Sequence, residues 1–336
     1  MQNNISYKTL GTLEKSKLFE KIILEFESRW SGNDYLSDIC RYSLLNPGKM
    51  LRPLLLIESA RLVGGKVNKV IKAAAGVEIA HIASLMHDDI IDDDNTRRGI
   101  PASHIVYGKN DTIVAGDALI FDLFACLAEC SNVGISEHRI IKAISLSAEA
   151  GRILCQGQIL EGKIKENHNY TIDTYLQMIE QKTAILFKTV CEVGGILGGG
   201  DPHTCTKLSL YGRNLGIAFQ MIDDLLPYIS DSTIAGKNLY SDIINNRPTL
   251  PILIAYEHSD KDIRDRIETA LYGNYDFEAR VNFIKQIIYK TDAINIGKKL
   301  ALEYSKEAKY SLIDIPLNLD KRILNSYVEM VVERCK

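Results

Sequence analysis

The chain has 336 residues, of which 46% are hydrophobic and 25% charged, as is ordinary for a soluble globular enzyme. Its 40 basic and 43 acidic side chains leave a formal net charge of -3, which excludes a bulk electrostatic attraction for nucleic acid or anionic lipid. We therefore expect any anionic substrate to be held by local clusters of cations.

Apolar residues recur at helical spacing along almost the whole chain, and no convincing alternating strand is present. Glycine, proline and asparagine separate the apolar segments at 46–48, 64–65, 132–134 and 198–202. The pattern predicts an all-α chain that forms one domain over residues 1–336. The predicted helices span about 13–28, 34–45, 50–63, 68–93, 111–131, 136–162, 171–198, 203–229, 249–258, 261–272, 276–290, 292–312 and 319–334.

The N-terminus carries charges throughout, so we expect no signal peptide. The longest weakly charged stretch, Ala73 to Met86, is too short for a membrane span and runs into a cluster of aspartates. Cysteines without a CxxC pair indicate reduced thiols in a cytoplasm, and they are Cys40, Cys126, Cys130, Cys155, Cys191, Cys205 and Cys335. Cys126 and Cys130 lie four residues apart on one predicted helix face, for which we favour core packing.

The predicted helix 50–63 begins in the segment NPGKMLRP, which contains Gly48, Lys49 and Arg52. Cations at a helix N-terminus oppose the helix dipole unless an anion binds there, and the exposed N–H groups of the first turn favour an anion. This segment is therefore a candidate anion site.

The predicted helix 68–93 is apolar over its first two-thirds and ends in HDDIIDDDNTRRG. Asp88 and Asp92 are one turn apart, so their Cβ atoms lie about 5–6 Å from each other on one face. Carboxylates at a helix C-terminus oppose the dipole, and Mg²⁺ suits them because it binds one or two carboxylates together with waters and substrate phosphates. Arg97 and Arg98 are able to donate paired hydrogen bonds to phosphate. Taken alone, such a motif is more often a solvated acidic helix end.

Two further motifs lie on later helices. The segment EQKTAILF places Lys182 and Thr183 inside an apolar helix, where a lysine either binds an anion or extends its ammonium group to the surface. A second acidic pair, Asp223 and Asp224, lies at the polar end of an apolar helix, 135 residues after Asp88. The two acidic pairs therefore do not belong to a single acidic segment.

The motifs GKMLRP, HDDIIDDDNTRRG, QKTA and FQMIDDLL, in this order and spacing, resemble those of the trans-polyprenyl diphosphate synthases. The resemblance covers residues from about 45 to about 255, and four ordered motifs are far more specific than any one of them. It implies a large antiparallel helical bundle around a deep central cavity, usually as a homodimer. It also implies an enzyme that joins isopentenyl diphosphate to an allylic diphosphate.

The resemblance also implies a role for each matching residue. The expected Mg²⁺ ligands are Asp88, Asp92 and Asp223, supported by Asp89 and Asp224. The allylic diphosphate is expected on Asp89, Arg97, Lys182, Thr183, Gln220 and Lys237. Isopentenyl diphosphate is expected on Gly48, Lys49, Arg52, His81 and Arg98. The residues expected to be catalytic are Asp88, Asp92, Asp223, Asp224 and Lys182.

In the implied reaction, Mg²⁺ and cationic side chains stabilise the leaving diphosphate while the allylic carbon–oxygen bond breaks. The isopentenyl double bond then attacks the allylic cation, and a dry apolar cavity keeps water away from it. No protein nucleophile is needed, which agrees with the absence of a Ser-His-Asp or Cys-His pattern near these motifs.

Ala83 and Ser84 lie about 6–7.5 Å along the helix from Asp88, towards the expected cavity floor. In short-chain family members, bulky aromatic residues at these positions block the growing tail. Small residues here predict a product of twenty or more carbons, and we favour a chain of roughly thirty or more, since small side chains at this level of the helix leave the channel open. Phe121 or Phe124 on another helix is an alternative floor.

The sequence departs from the family pattern at Pro227, where most members have the third aspartate of the second motif. A proline there cannot donate to the Asp223 carbonyl, so we expect the helix to kink or end. Arg247 replaces a family lysine in a later segment. Asp242 matches an aspartate of that segment, and Asp231 is a candidate substitute for the missing carboxylate.

Three other interpretations explain part of the pattern. A metal phosphohydrolase would use His87 and Asp88 as an HD pair, but GKMLRP and QKTA would remain unexplained. A class I terpene cyclase would carry an Asn/Ser/Glu triad in place of Asp223 and Asp224. A weakly active partner subunit of a heteromeric prenyl synthase is favoured by Pro227 alone. We predict a cytoplasmic, Mg²⁺-dependent homodimer with no nucleic-acid partner and no membrane span.

Overall fold

The computed structural model describes residues 7–168, 170–229, 245, 247–273, 276–316 and 318–334, with side chains from residue 15 onward. The chain divides into two compact units. The first unit comprises Met1–Leu146 and Val190–Cys205, and the second comprises Ser147–Thr189 and Thr206–Lys336. The prediction of a single domain over residues 1–336 stays a prediction.

The described residues are almost entirely helical, which confirms the predicted all-α class. The helices of the first half of the chain are α1 (Tyr7–Arg29), α2 (Tyr35–Leu44), α3 (Leu51–Leu62), α4 (Val67–Ile91), α5 (Ser103–Tyr107), α6 (Lys109–Ala128) and α7 (Glu137–Asn167). Those of the second half are α8 (Ile172–Ile179), α9 (Ile185–Gly198), α10 (Pro202–Ile229), α11 (Leu250–Glu257), α12 (Lys261–Tyr272), α13 (Phe277–Lys290), α14 (Ala293–Ser311) and α15 (Leu319–Glu333). A 3₁₀ turn follows α6 at Glu129–Val133.

Helix α4 forms the core of the first unit, where α1, α2, α3 and α6 pack against it. Its small residues Ala73, Ala74 and Ala75 are fully buried, which lets neighbouring helices approach closely. The full helix is longer than the stretch considered in the sequence, and by length and hydropathy it is able to cross a bilayer. However, 56% of its apolar window is buried inside the protein, as is typical of a core helix.

The second unit has its own apolar core. Helix α11 packs against α8, α13 and α14. The buried Tyr211 on α10 donates a hydrogen bond to the Leu324 carbonyl of α15 at 2.7 Å, which satisfies its hydroxyl inside this core. This core fixes α10, the helix that carries the second acidic pair.

Three differences from the predicted helical pattern concern the segments that carry the motifs. Thr96–Arg97 and Ile100–Pro101 pair as a short antiparallel hairpin, whose strands are too brief to show an alternating pattern. The predicted helix 171–198 is interrupted by a π-helical segment, Glu180–Ala184. Helix α10 continues past Pro227 to Ile229, so the helix does not end at the proline as considered above. Pro227 has no N–H to donate to the Asp223 carbonyl. The helix tolerates this loss because Asp223 is close to the helix end, where the last carbonyl groups have no intrahelical donor in any case.

The cysteines of the described residues are unpaired in the structure, and the prediction that the thiols are reduced in a cytoplasm stays a prediction. Cys126 and Cys130 are buried in the first unit, as predicted, and the Cys130 thiol donates to the Cys126 carbonyl at 3.5 Å. Cys335 lies outside the described residues.

Candidate active site

The first acidic cluster is shaped by the way α4 ends. The Asp92 N–H donates to the Asp88 carbonyl at 2.9 Å, so these two residues remain one helical turn apart. Asp93 then adopts a left-handed backbone conformation with φ 50°, and the Asp94 N–H donates to the Asp89 carbonyl at 2.9 Å. This 6→1 hydrogen bond is the C-terminal capping arrangement that usually carries glycine or asparagine at the left-handed position. Asp88 and Asp92 are both partly exposed at this end.

Asp89, between those two residues in the sequence, has a different environment. It is buried, with 3% of its surface exposed. The Nε atom of Arg97 donates to its Oδ1 atom at 2.8 Å, and the Nη2 atom donates to the same oxygen. Burial raises the pKa of Asp89, while the Arg97 guanidinium acts in the opposite direction. Asp89 thus holds Arg97 next to the acidic cluster, which agrees with a supporting position for it.

The hairpin brings Arg98 to the segment that precedes α3. Arg98 and Gly99, at the turn, have φ values of 51° and 84°, as in the two-residue hairpin turns that match strand twist. The Nη1 atom of Arg98 donates to the Asn46 carbonyl at 2.7 Å. Its guanidinium covers Gly48 so closely that a Cβ atom there would lie 2.6 Å from Nη2. Residue 48 is therefore restricted to glycine unless Arg98 moves.

Arg52 and His81 complete this group. The Nη1 atom of Arg52 lies 2.9 Å from the His81 Nε2 atom. Because arginine only donates, Nε2 must accept, and the imidazole is then neutral with its proton on Nδ1. Burial, followed by Arg52, Arg98 and Arg97, holds the pKa of His81 well below its ordinary value. We refer to Gly48, Arg52, His81 and Arg98 as the cationic cradle.

The start of α3 differs slightly from the predicted one. The helix begins at Leu51, so Gly48 and Lys49 precede it and Arg52 lies in its first turn. Met50, at the N-cap, is left-handed with φ 46°, and no side chain caps the helix there. Lys49 is exposed. The first-turn N–H groups therefore lack a capping side chain beside the cationic cradle, which is compatible with an anion site.

Glu78 is a residue of this region that the sequence interpretation missed. It is 1% exposed, and its Oε2 atom has no hydrogen-bond partner among the described residues. Burial raises its pKa, and the charges of Arg52 and Arg98 act in the opposite direction. A carboxyl group thus lies beneath the cations of the cationic cradle. The sequence signal was a lone acid within the apolar run AAAGVEIA.

In the second unit, Asp224 is held by three hydrogen bonds. The Tyr175 hydroxyl donates to its Oδ2 atom at 2.8 Å, and so does the Leu250 N–H at 3.1 Å. The Gln220 amide donates to its Oδ1 atom at 2.9 Å. Burial nevertheless raises the pKa of Asp224 to about 6. Asp224 therefore organises its surroundings through neutral donors.

Gln220 also connects Asp224 to the QKTA motif. Its Oε1 atom accepts a hydrogen bond from the Thr183 hydroxyl at 2.8 Å. Lys182, the preceding residue, donates from Nζ to Glu161 Oε2 at 2.6 Å. The charges of Lys182 and Lys165 lower the pKa of Glu161 despite its burial. Glu161 does not stand out in the sequence, because it lies among other polar residues in the segment QGQILEGKIKEN.

The QKTA motif has an unusual backbone. Residues Glu180–Ala184 are π-helical, and π-helical turns within helices occur frequently at functional sites. A Cβ atom on Gly157 of α7 would lie 2.5 Å from the Lys182 nitrogen, and one on Gly216 of α10 would lie 2.7 Å from the Ala184 Cα. Two glycines thus let two helices approach the widened turn.

Asp223 is contacted from the end of the chain. The Nη2 atom of Arg334 donates to its Oδ1 atom at 2.6 Å. Sequence reasoning missed Arg334, because 111 residues separate it from Asp223.

A model of the family described as polyprenyl synthetase matches residues 33–288, well over half of the chain. The chain belongs to the polyprenyl synthetase family. This confirms the resemblance inferred from the four motifs. The chain is accordingly an enzyme, a polyprenyl diphosphate synthase that condenses isopentenyl diphosphate with an allylic diphosphate.

Relatives of this polyprenyl synthetase cover nearly its whole length. The geranylgeranyl diphosphate synthase of Saccharolobus solfataricus is 34% identical over 291 residues, which are 86% of this chain and 87% of that one. The geranylfarnesyl diphosphate synthase of Aeropyrum pernix is 31% identical over 323 residues, 95% of this chain and 100% of that one. A polyprenyl synthase from Caulobacter crescentus CB15, solved with calcium and isoprenyl diphosphate, superimposes with a TM-score of 0.86 at 30% identity and covers 96% of both chains. The predicted isoprenoid synthase type of fold is confirmed.

The carboxylates of this polyprenyl synthetase suit a metal that the substrate helps to bind. Among the described residues, no three His, Cys, Asp or Glu side chains are grouped so as to hold a metal ion by themselves. Mg²⁺ does not require such an enclosure, because it takes one or two carboxylates and completes its octahedron with waters and phosphates. Asp88 and Asp92, one turn apart and partly exposed, fit this open ligand set.

The remaining residues predicted from the sequence of this polyprenyl synthetase either lie outside the described residues or differ in exposure. Lys237, Asp231 and Asp242 lie outside the described residues. Ala83 is fully buried, whereas Ser84 is partly exposed and donates to the His81 carbonyl at 2.8 Å. Of the two, Ser84 is therefore the residue with accessible surface.

Proposed function

We propose that this chain is a cytoplasmic, Mg²⁺-dependent synthase whose product has twenty or more carbons. The observation that carries the proposal is the cationic cradle beside the end of α4. Three separate segments of the first unit supply it, and two of its members are linked at 2.9 Å. Three cations, Arg52, Arg97 and Arg98, thus converge near two partly exposed carboxylates, an arrangement that suits a diphosphate and a divalent metal.

In this proposal the cationic cradle binds isopentenyl diphosphate. Arg52 and Arg98 present planar guanidinium groups, which donate paired hydrogen bonds to phosphate oxygens. His81 stays neutral and accepts from Arg52, so it orients that guanidinium. Lys49, exposed next to the uncapped start of α3, adds a further cation.

Arg97 in the first unit, and Lys182 and Thr183 in the second, are each proposed to contact the allylic diphosphate because they match the family's motifs. Asp89 fixes Arg97, and Glu161 fixes Lys182, so both cations have restricted positions before substrate binds. Preorganised cations of this kind stabilise the charge that develops on a leaving diphosphate. Mg²⁺ would supply further neutralisation of that charge when bound, and its proposed ligands are Asp88 and Asp92 in the first unit and Asp223 in the second.

The cationic cradle is tested by separating the two substrates kinetically. The purified protein would be given Mg²⁺, labelled isopentenyl diphosphate and allylic primers of several lengths. We expect Arg52→Gln to raise the KM for isopentenyl diphosphate about 10- to 100-fold, since a hydrogen bond to a charged group is lost. The KM for the primer should change little. Lys66→Gln, at an exposed cation of the same unit, is the matched control. An unchanged KM in the Arg52 variant would contradict the assignment.

Product length is assigned to the level of Ser84. Its small, partly exposed side chain supports a tail that extends beyond this level. We expect Ser84→Phe to shorten the product, with Ser84→Ala as the control, when products are separated by chromatography. Ala83→Phe should shorten it too and should also destabilise the protein by about 1–3 kcal/mol, because the site is already filled. An unchanged product distribution in both phenylalanine variants would contradict this assignment.

We also propose a homodimer through α6. Phe121 and Val114 lie seven residues apart on one face of α6, and they are 72% and 60% exposed. Exposed apolar patches of this kind mark interaction surfaces. Light scattering should give twice the chain mass of 37.6 kDa. Phe121→Glu should weaken the dimer, while Leu302→Glu, at an exposed leucine of the second unit, should not. A monomeric wild type would contradict the proposal.

A further inference from the structure

Arg334 has an environment that the proposed reaction does not explain. It immediately follows α15, and its Nη2 atom donates to Asp223 Oδ1 at 2.6 Å. Its guanidinium also lies over the ring of Phe219, 5.2 Å from the centroid. Phe219 precedes Asp223 by one helical turn, so ring and carboxylate lie on the same face of α10. A carboxylate and an aromatic ring together hold the cation.

Not every hydrogen-bond donor of the Arg334 guanidinium has a partner. The Nη1 atom of Arg334 is buried and has no hydrogen-bond partner among the described residues. The two side chains of the pair are 21% and 38% exposed, so solvent reaches the carboxylate better than the guanidinium. A buried donor without a partner costs free energy in the paired state, so the ion pair between Arg334 and Asp223 is weakened. Another cation therefore replaces Arg334 at Asp223 more easily.

The other positions of the second motif are less suited than Asp223 to bind a metal through a carboxylate. Both oxygens of Asp224 accept hydrogen bonds from protein donors. Position 227, where a third carboxylate is common in the family pattern, is a proline inside the helix. Among the described residues, Asp223 therefore accepts fewer hydrogen bonds from protein donors than Asp224, and a divalent cation that binds Asp223 meets the group that Arg334 contacts.

We propose that Arg334 is a built-in competitor of the divalent metal at Asp223. This inference rests on the metal role proposed above for Asp223. A guanidinium 2.6 Å from Oδ1 repels a divalent ion that binds the same carboxylate, so metal binding favours the molecules in which Arg334 has moved away. The end of α15 is thereby coupled to metal binding on α10. The apparent metal affinity is the intrinsic affinity multiplied by the fraction of molecules in which the ion pair is open.

The test measures Mn²⁺ binding to the full chain without substrate, by water-proton relaxation, up to millimolar concentration. Asp88 and Asp92 are both replaced by asparagine in every sample, so that binding at the first motif is removed. Arg334→Ala should bind Mn²⁺ about three- to tenfold more tightly than this parent, because a partly exposed ion pair no longer competes. Phe219→Leu should shift the affinity in the same direction by less. Arg322→Ala, at an exposed arginine on α15, should leave it unchanged.

Two outcomes would overturn the inference, and they differ in what they imply. If Asp223→Asn weakens Mn²⁺ binding but Arg334→Ala does not strengthen it, Asp223 binds metal and Arg334 does not compete. If Asp223→Asn has no effect on Mn²⁺ binding, the metal role of Asp223 in the proposed function is itself wrong. Thermal unfolding of each variant checks that the fold is retained, and Arg334→Lys, which keeps the charge but not the planar fork, should lie between wild type and alanine.

Discussion

The first aspartate motif, at the end of α4, and the second, near the end of α10, differ in which carboxylate is paired with a cation. In the first motif, Arg97 contacts the buried Asp89 between the two expected metal ligands. In the second, Arg334 contacts the expected ligand Asp223, and neutral donors hold Asp224. The position of the counter-charge is therefore a separate property from the presence of the acidic residues. We expect the two motifs to contribute unequally to catalysis.

The largest expected effect comes from removing one ligand of each motif. Asp88→Asn should lower kcat about 1,000-fold, while Asp223→Asn should lower it only about 10- to 100-fold, because the second motif has a proline in place of its third carboxylate. Steady-state kinetics at saturating Mg²⁺ would measure both. Asp93→Asn, at an exposed aspartate paired with Lys109, is the control. Equal losses of kcat for Asp88→Asn and Asp223→Asn would contradict the expectation that the two motifs contribute unequally to catalysis.

The second prediction concerns the neutral donors around Asp224. Tyr175→Phe should lower the free energy of unfolding by about 1–3 kcal/mol, since a buried carboxyl group loses one of its donors. Urea unfolding would measure the change. Tyr289→Phe, whose exposed hydroxyl donates to the Tyr228 carbonyl, should cost clearly less. Similar losses in both variants would mean that the network around Asp224 adds no stability beyond an ordinary hydrogen bond.

A smaller effect is expected at Glu78, the buried acid of the first unit. Its raised pKa means that above about pH 4 the folded protein binds more protons than the unfolded chain, so the free energy of unfolding falls as pH rises through that window. Glu78→Gln removes this contribution, and its stability should decline less between about pH 4 and pH 7 than that of wild type. Urea unfolding at several pH values would test this. Glu137→Gln, at an exposed glutamate of the same unit, should follow wild type.

The smallest effect concerns thiol reactivity in the two units. The described cysteines of the first unit are all buried, and burial raises the pKa of Cys126 and Cys191 to about 12. Cys155, in the second unit, is exposed. A thiol reagent at neutral pH should therefore label Cys155 much faster than the thiols of the first unit in the folded protein. Rapid labelling of Cys126 would show that the core around α4 opens readily.

Much of the fold and part of the site followed from the sequence. Helical periodicity placed most helices within a few residues, because buried faces require apolar residues every third or fourth position. The hairpin that carries Arg97 and Arg98 was missed, because two-residue strands show no period. The π-helical turn at Lys182 was missed because its residues also fit an α-helix, and only the close approach of Gly157 and Gly216 distinguishes it.

By itself, the sequence determined the all-α class, the order of the four motifs and membership of a family of polyprenyl synthetases, because local periodicity and short motifs contain that information. Only the tertiary structure decided which partner each charged residue receives. Arg334 meets Asp223, Lys182 meets Glu161, and Glu78 lies beneath the cationic cradle. These pairings depend on side-chain directions and burial between segments distant in the chain, which residue spacing does not specify.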